Sequence, residues 1–326
     1  MVTLKEIAKA VGVSTATVSR VLNFDSTLSV TARKRQAIIE TAEALNYATP
    51  RNRNRANQQG LSKIALVHFL RPEQELVDPY YVGLRLGIES RCAALKIETV
   101  KVYHTDAMPD AALLQGASGV IAIGRQDDTE IAWLQRYARH LVFADFAPPS
   151  DELDSVQSDL TSAMRKLLES MAAMGYRRIA YLGLNDTRAM AFTQWMKEAR
   201  LYDEHLCRSD SNTEEGGYRA LKHLVAECGR PDAVVLFNDS MAVGAYRAVA
   251  ELGLTIPDDI AVASFNDISV AQFMNPPLST VRLPAEEIGE TAVELLLERA
   301  AGRELAKRIT LATRVIWRGS TRHATS

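Results

Sequence analysis

Thirteen residues divide this chain into two parts that must fold separately. The stretch 48–60, ATPRNRNRANQQG, has no apolar face, three arginines at alternate positions (Arg51, Arg53, Arg55), several amides, and Pro and Gly near its ends. Such a sequence has nothing to bury and reads as a linker, flexible in isolation. Two roles fit it equally well. It is either a solvated connector, or a segment whose arginines order against phosphates or a groove when a partner binds.

The part before the linker is short and helical. In TLKEIAKAVGVSTATVSRVLN (Thr3–Asn23), Thr3 and Glu6 have capping-box spacing. Leu4, Ile7, Ala8 and Val11 fall on one helical face. Gly12 breaks the helix and Ser14 is placed to cap a second one. That helix turns Val18, Val21 and Leu22 inward, and Thr15, Ala16, Thr17 and Arg20 outward. A third helix over about Thr31–Leu45 points Ile38, Ala42 and Leu45 inward, with Val30 as a hydrophobic staple. Small polar residues opening a second helix suit base edges in the major groove, the geometry of a helix-turn-helix. The same spacing also serves a plain packing hairpin.

Charge separates the two parts as well. Residues 1–60 hold nine basic side chains against four acidic ones in a chain of net charge -2, so the remainder carries -7. A basic head on an acidic body suits a phosphate-binding module whose body stays off the nucleic acid.

After the linker, short apolar runs alternate with helical stretches. Strands are expected at Ile64–Phe69, Thr99–Tyr103, Val120–Ile123, Leu141–Ala144, Arg178–Leu184, Ala233–Phe237 and Ile260–Phe265. The helix after the first run carries Tyr81, Leu84, Ile88, Cys92 and Leu95 at spacings of three and four. This alternation predicts parallel sheets covered on both faces, and the length after residue 62 suffices for two α/β subdomains. No apolar run approaches the ~18 residues of a membrane span. The N-terminus does not read as a signal peptide. Three cysteines without metal-type spacing fit reduced thiols in a cytoplasmic protein.

In open α/β sheets, ligands bind beyond the carboxyl ends of the strands. Asp145, Arg188, Asn238 with Asp239, and Asn266 with Asp267 occupy such positions. Carboxylates, amides and a guanidinium can grip vicinal hydroxyls, and Tyr80, Tyr81 or Phe265 could face a sugar ring. Taken singly, each Asp or Asn is more readily explained as a helix cap or turn residue. Four strand ends with the same chemistry favour a polyhydroxylated ligand. No P-loop, G-x-S-x-G elbow, Rossmann glycine fingerprint or H-E-x-x-H occurs, so no catalytic residue, metal site or cofactor is expected.

The head motif, ALNY (Ala44–Tyr47), VLFNDSMAVGAYRAV (Val235–Val249) and VASFNDISVAQFMNPPLSTVR (Val262–Arg282) together resemble the LacI/GalR transcriptional regulators over essentially the whole chain. DPYY (Asp78–Tyr81) and FNDIS ahead of PPLSTVR are most similar to the branch governing β-galactosidase genes. The resemblance implies a helix-turn-helix head (1–47), a hinge (48–61) and a core of two periplasmic-binding-protein-like subdomains (62–158 with 285–311; 159–284 with 312–326). It implies a homodimer on a near-palindromic operator, released by a small sugar effector. A solute-binding sugar receptor without a gene-regulatory role is the alternative.

By the same resemblance, Thr15, Ala16 and Arg20 face bases, while Thr3, Ser14, Thr17, Ser19 and Asn23 hold phosphates or place the helix. Tyr47, Arg51, Arg53 and Arg55 complete the expected DNA contacts. Asp145, Arg188, Asn238 and Asn266, with Tyr80, Tyr81 and Phe265, are placed in an effector cleft. Two positions depart from the family pattern. Ala56 stands where relatives carry a leucine that wedges into the minor groove, with no leucine before Leu61. Asn266 stands where many have aspartate. No leucine heptad follows Arg318-Gly319, so a dimer is expected rather than a tetramer.

Overall fold

A computed structural model describes residues 4–22, 28, 30–44, 61–103 and 110–322. The linker, and with it Thr3, Asn23, Tyr47, Arg51, Arg53, Arg55 and Ala56, lies outside the described residues.

The head contains α1 (Leu4–Val11), α2 (Thr15–Leu22) and α3 (Ala32–Ala44). The apolar positions read from the sequence form its core: Ile7, Ala8, Val18, Val21, Ile38 and Ala42 are buried, with Leu4, Val11 and Leu22 packed around them. Six buried side chains are a thin core, so little stability is expected from the head alone.

The rest builds two six-stranded sheets of matching plan. The first is assembled from β1 (Lys63–His68), α4 (Pro72–Leu76), α5 (Pro79–Leu95), β2 (Glu98–Tyr103), β3 (Gly119–Ile123), α6 (Asp128–Tyr137), β4 (Leu141–Ala144) and β5 (Asp154–Ser158). The second follows with α7 (Leu160–Ala173), β6 (Ile179–Leu182), α8 (Thr187–Glu198), β7 (Cys207–Arg208), α9 (Glu214–Cys228), β8 (Ala233–Leu236), α10 (Asp239–Glu251) and β9 (Ala261–Asn266). The chain ends with β10 (Ser279–Arg282), α11 (Ala285–Ala300), β11 (Arg308–Leu311) and β12 (Arg314–Ile316).

Strand order is β11-β5-β4-β3-β1-β2 in one sheet and β12-β10-β9-β8-β6-β7 in the other. Both reverse direction of growth beside their first strand, which creates a switch point between β1 and β3, and another between β6 and β8. The central strands run parallel because helices return the chain over a sheet face, and they are apolar throughout: Val120–Ile123, Leu141–Ala144 and Ala233–Leu236 are all buried. One pairing departs from the all-parallel expectation: β12 lies antiparallel to β10, with Val315 opposite Val281.

The described residues group into two compact units. One draws on Met1–Arg71, Arg85–Ser155 and Gly289–Arg308, the other on Pro72–Leu84, Val156–Ile288 and Ile309–Ser326. Leu61, only 3% exposed, is buried at the foot of β1. That side chain is therefore committed to packing in this structure.

In the second unit two core layers flank the sheet. Tyr176, Phe192, Met164 and Phe265 fill one, and Leu206, Leu221, Leu224, Met241 and Leu278 fill the other. Helices α9 and α10 approach so closely that a Cβ at Gly217 or Gly244 would collide with the facing backbone. Only glycine permits this contact, which brings the start of α9 beside the end of β8.

Candidate functional site

Local geometry in the head makes α2 a presentable reading helix. Gly12 takes φ +68°, a conformation unfavourable for other residues, and Val13 N–H bonds the Ala8 carbonyl at 3.0 Å to close the turn. Ser14 Oγ accepts from Thr17 N–H at 3.0 Å and lies 2.8 Å from Thr17 Oγ1, capping α2. Burial of Val18 and Val21 then turns Thr15, Ala16 and Arg20 to solvent and leaves Thr17 and Ser19 half-buried. Ser14 thus acts in the fold as a cap, a role compatible with a phosphate contact through its exposed side.

The second unit gathers the effector candidates around Arg188. Asp186 caps α8, accepting from the N–H groups of Arg188 and Ala189, and pairs with the Arg188 guanidinium at 2.9 Å. Nη1 of Arg188 donates to the Phe237 carbonyl at 3.0 Å. The guanidinium carbon lies 3.5 Å from the Phe237 ring centroid and 5.8 Å from that of Phe265. A planar cation stacked on an aromatic face and gripped at its edge is preorganised. Of the roughly five N–H donors of a guanidinium, one each on Nη1 and Nη2 is left over for a ligand. Arg188 is 9% exposed, so those donors sit where a ligand hydrogen bond competes weakly with bulk water.

Asp78 stands close by. It precedes Pro79 at the start of α5, and its carboxylate accepts from Tyr80 N–H at 3.1 Å. Burial pushes its carboxyl above the usual carboxylate range, partly offset by the Tyr80 and Tyr81 amides and by the charge of Arg188. The DPYY phrase therefore sets a carboxyl within electrostatic reach of the Arg188 cation, and Tyr81 in the same phrase is half-buried. Tyr80 itself is 6% exposed and packs in the core, edge-on to Tyr81 at 5.1 Å. Phe265 is fully buried and offers no face to a sugar ring in this structure. In this structure both rings pack into the apolar layer beneath the strand ends.

Asn238 is buried at the end of β8. It caps α10 by accepting from Met241 N–H at 2.9 Å, while its amide donates to the Asn212 carbonyl at 3.0 Å. Asn266, half-buried at the end of β9, has φ +107°. In the first unit, Asp145 also sits in the left-handed region, at φ +62°, directly after β4.

Strand-end reasoning passed over a further place in the first unit. Beyond β1, β3 and β4 lies a cavity of about 610 Å³ lined by Phe69, Arg125, Asp127, Glu130 and Phe146, among others. Arg125 follows β3 by two residues, so the rule that picked out Arg188 reaches it too. Asp78 and Phe237 were also missed. Asp78 was legible as an Asp-Pro helix start, whereas nothing local in the sequence marks Phe237 as the stacking partner of a residue 49 positions away.

A three-helix head and two sheets of like plan, with polar side chains at their strand ends, define a ligand-linked DNA-binding protein. Residues 3–50 match the family model "Bacterial regulatory proteins, lacI family", and residues 168–321 match "Periplasmic binding protein-like domain". The chain is 35% identical to the HTH-type transcriptional repressor MelR of Bacillus subtilis, over 98% of this chain and 97% of that one. It is 59% identical to the lactose operon repressor of Rhizobium radiobacter over 106 residues, which cover 32% of this chain and 94% of that one. Among solved structures, a CelR–cellobiose complex aligns with a TM-score of 0.73 at 25% identity, covering 98% of this chain and all of that one. The lac repressor dimer bound to operator and an anti-inducer aligns at 0.71 and 24%, covering 98% and 99%, and shares the fold. The chain belongs to the LacI family. It is a DNA-binding transcriptional repressor.

Proposed function

We propose that this repressor controls a sugar-utilisation operon as a homodimer on a near-palindromic operator, and that a small sugar, a β-galactoside, relieves repression. The observation that carries the effector reading is Arg188, stacked on Phe237, fixed by Asp186 and left with spare donors within electrostatic reach of Asp78. A fixed guanidinium recognises vicinal hydroxyls without first ordering a flexible chain. A relative named lactose operon repressor, and a structure solved with cellobiose, support a saccharide as the ligand class. The helix-turn-helix head argues against a receptor without a gene-regulatory role. Transcriptional relatives and a site built for holding rather than turnover argue against an enzyme.

Effector and operator binding are then linked by a coupling free energy on the order of 1–3 kcal/mol, equivalent to about 5–150-fold in affinity. A gel-shift titration tests this reading. A β-galactoside should lower operator affinity of the wild type. Arg188→Ala should abolish that response with operator binding intact, and Arg20→Ala should weaken operator binding while sugar binding survives. Operator affinity unchanged by every sugar tried would remove the effector claim.

A further inference from the structure

Two consecutive residues at the end of β9 adopt conformations that side-chain-bearing residues rarely occupy: Asn266 at φ +107° and Asp267 at φ +58°. Such a corner persists only where its surroundings over-determine it. Here it is held from both sides. On one side, the Asp267 carboxylate, 3% exposed, takes Nε of Arg282 at 2.7 Å and Nη2 of Arg318 at 2.7 Å. Register strengthens this grip, because Arg282 on β10 lies directly opposite Asn266. On the other side, the fully buried Asp239 accepts the Ile268 N–H at 2.8 Å.

Asp239 does more than hold one amide. It also accepts from Thr280 Oγ1 at 2.7 Å and from Ser264 Oγ, both buried. It is the first residue of α10, directly after Asn238, which caps that helix. One carboxyl group therefore joins the corner bearing Asn238 to the corner bearing Asn266. These are neighbouring strand ends, since β8 pairs with β9.

We propose that Asp239 and Asp267 are positioning residues for the polyhydroxylated effector, fixing the Asn266–Ile268 corner so that Asn238 and Asn266 meet the ligand as one rigid pair. The inference rests on the effector reading above. Its logic is that a short amide such as Asn266 has no reach of its own, so its backbone must place it. Without the tethers the corner relaxes out of its strained geometry, and the ligand must reorganise it on binding.

Two measurements separate this idea from the reading it rests on. The first needs no sugar: hydrogen exchange of a peptide covering 264–273, in ligand-free protein. Asp239→Asn and Asp267→Asn should each speed exchange at Ile268, with the distal part of α10 unchanged. Unchanged exchange at Ile268 in both variants overturns the tether. The second is a titration with a non-hydrolysable thio-β-galactoside. Both variants should bind about tenfold more weakly, or worse, with ligand-free operator affinity intact. Ser264→Ala and Thr280→Val, which remove other partners of Asp239 but spare its bond to the corner, should stay within about twofold of wild type. If the wild type binds and both Asp variants bind equally well, the positioning role is wrong and the effector reading survives. If the wild type binds no sugar, the effector reading fails and takes the positioning role with it, whatever the exchange result. Should one Asp variant fail to fold, the other still decides.

Discussion

Asp154 in the first unit and Asp239 in the second are both completely buried, yet they hold their surroundings in opposite ways. Asp154 is met by two cations, Arg299 Nε at 2.7 Å and Arg303 Nη1 and Nη2 at 2.9 and 3.0 Å, and by the backbone N–H of Lys307 at 2.7 Å. Asp239 is met by two hydroxyls and one backbone amide. Burial pushes both carboxyls upward. At Asp154 the two guanidinium groups, joined by the Lys307 backbone amide, more than reverse this and hold it below the ordinary value. At Asp239 neutral donors do not, the nearby Asp267 charge opposes ionisation, and the carboxyl is pushed up to about 6. Burial alone therefore does not set a carboxyl's charge; the charge of its donors does. The ion cluster welds β5 to α11 and β11, away from the strand ends. The softer clamp stands at those ends, where the ligand is proposed to bind.

The harshest way to break the comparison is to empty the ion cluster. Asp154→Ala leaves two guanidinium groups, 20% and 14% exposed, without their shared anion, and strands the Lys307 amide. Removing one member of such a cluster costs about 3–5 kcal/mol. A urea unfolding midpoint shift corresponding to less than about 1 kcal/mol would show that the arginines find solvent or other partners easily.

Asp239→Asn should cost less, about 1–3 kcal/mol, because it keeps the shape and leaves one neutral acceptor where the carboxyl had two oxygens. The ranking of the two variants at neutral pH is itself the test. Equal losses would mean that the cations around Asp154 add nothing beyond ordinary hydrogen bonds.

The two sites should also depend on pH with opposite sign. Asp154 has a depressed value, so its contribution is complete above the unfolded carboxyl value near 3.8 and is lost as pH falls through the folded value. The penalty of Asp154→Asn should therefore grow as pH rises through the acid range. Asp239 has a raised value, so its contribution is complete below about 3.8 and is lost as pH rises through about 6. The penalty of Asp239→Asn should shrink from pH 4 to pH 6 and then level off. Urea titrations of the wild type and both variants at half-unit pH steps would show it. Parallel profiles would refute the assignment of charge at one of the two sites.

The same pair explains what the sequence could and could not reveal. The apolar strands were legible because burial from both sides writes them as runs such as Leu141–Ala144. The strand at Asp154–Ser158 was not, since its buried residues include Asp154, Ser155 and Ser158. Its burial is compensated by arginines about 145 positions away, which no local pattern encodes. Arg188 and Asn238 were reached by counting from strand ends. Asp239 was read as one more strand-end polar group, and its true task emerged only when β9 and β10 brought Ser264, Thr280 and Ile268 around it. The head was legible nearly residue by residue, because a helix face is a local property: Ile7, Val18, Val21 and Ile38 are buried as their spacing requires.

The smallest effect should come from Asp267, which shares a feature with each of the other two aspartates. Like Asp154 it is gripped by two arginines, and like Asp239 it holds a strand end. Its two partners are unequal: the Arg282 side chain is 57% exposed, whereas that of Arg318 is 17% exposed and also donates to the Leu278 carbonyl at 2.8 Å. Water and salt screen the first pair, so Arg282→Ala should cost no more than about 1 kcal/mol and lose part of that cost in concentrated salt. Arg318→Ala removes the more buried partner along with a backbone contact and should cost more, with little salt dependence. Urea midpoints for both variants at low and high sodium chloride read the contrast directly. If Arg282→Ala proves the costlier change, the exposed arginine is the one that fixes the Asn266 corner, and the tether described above must be redrawn around β10.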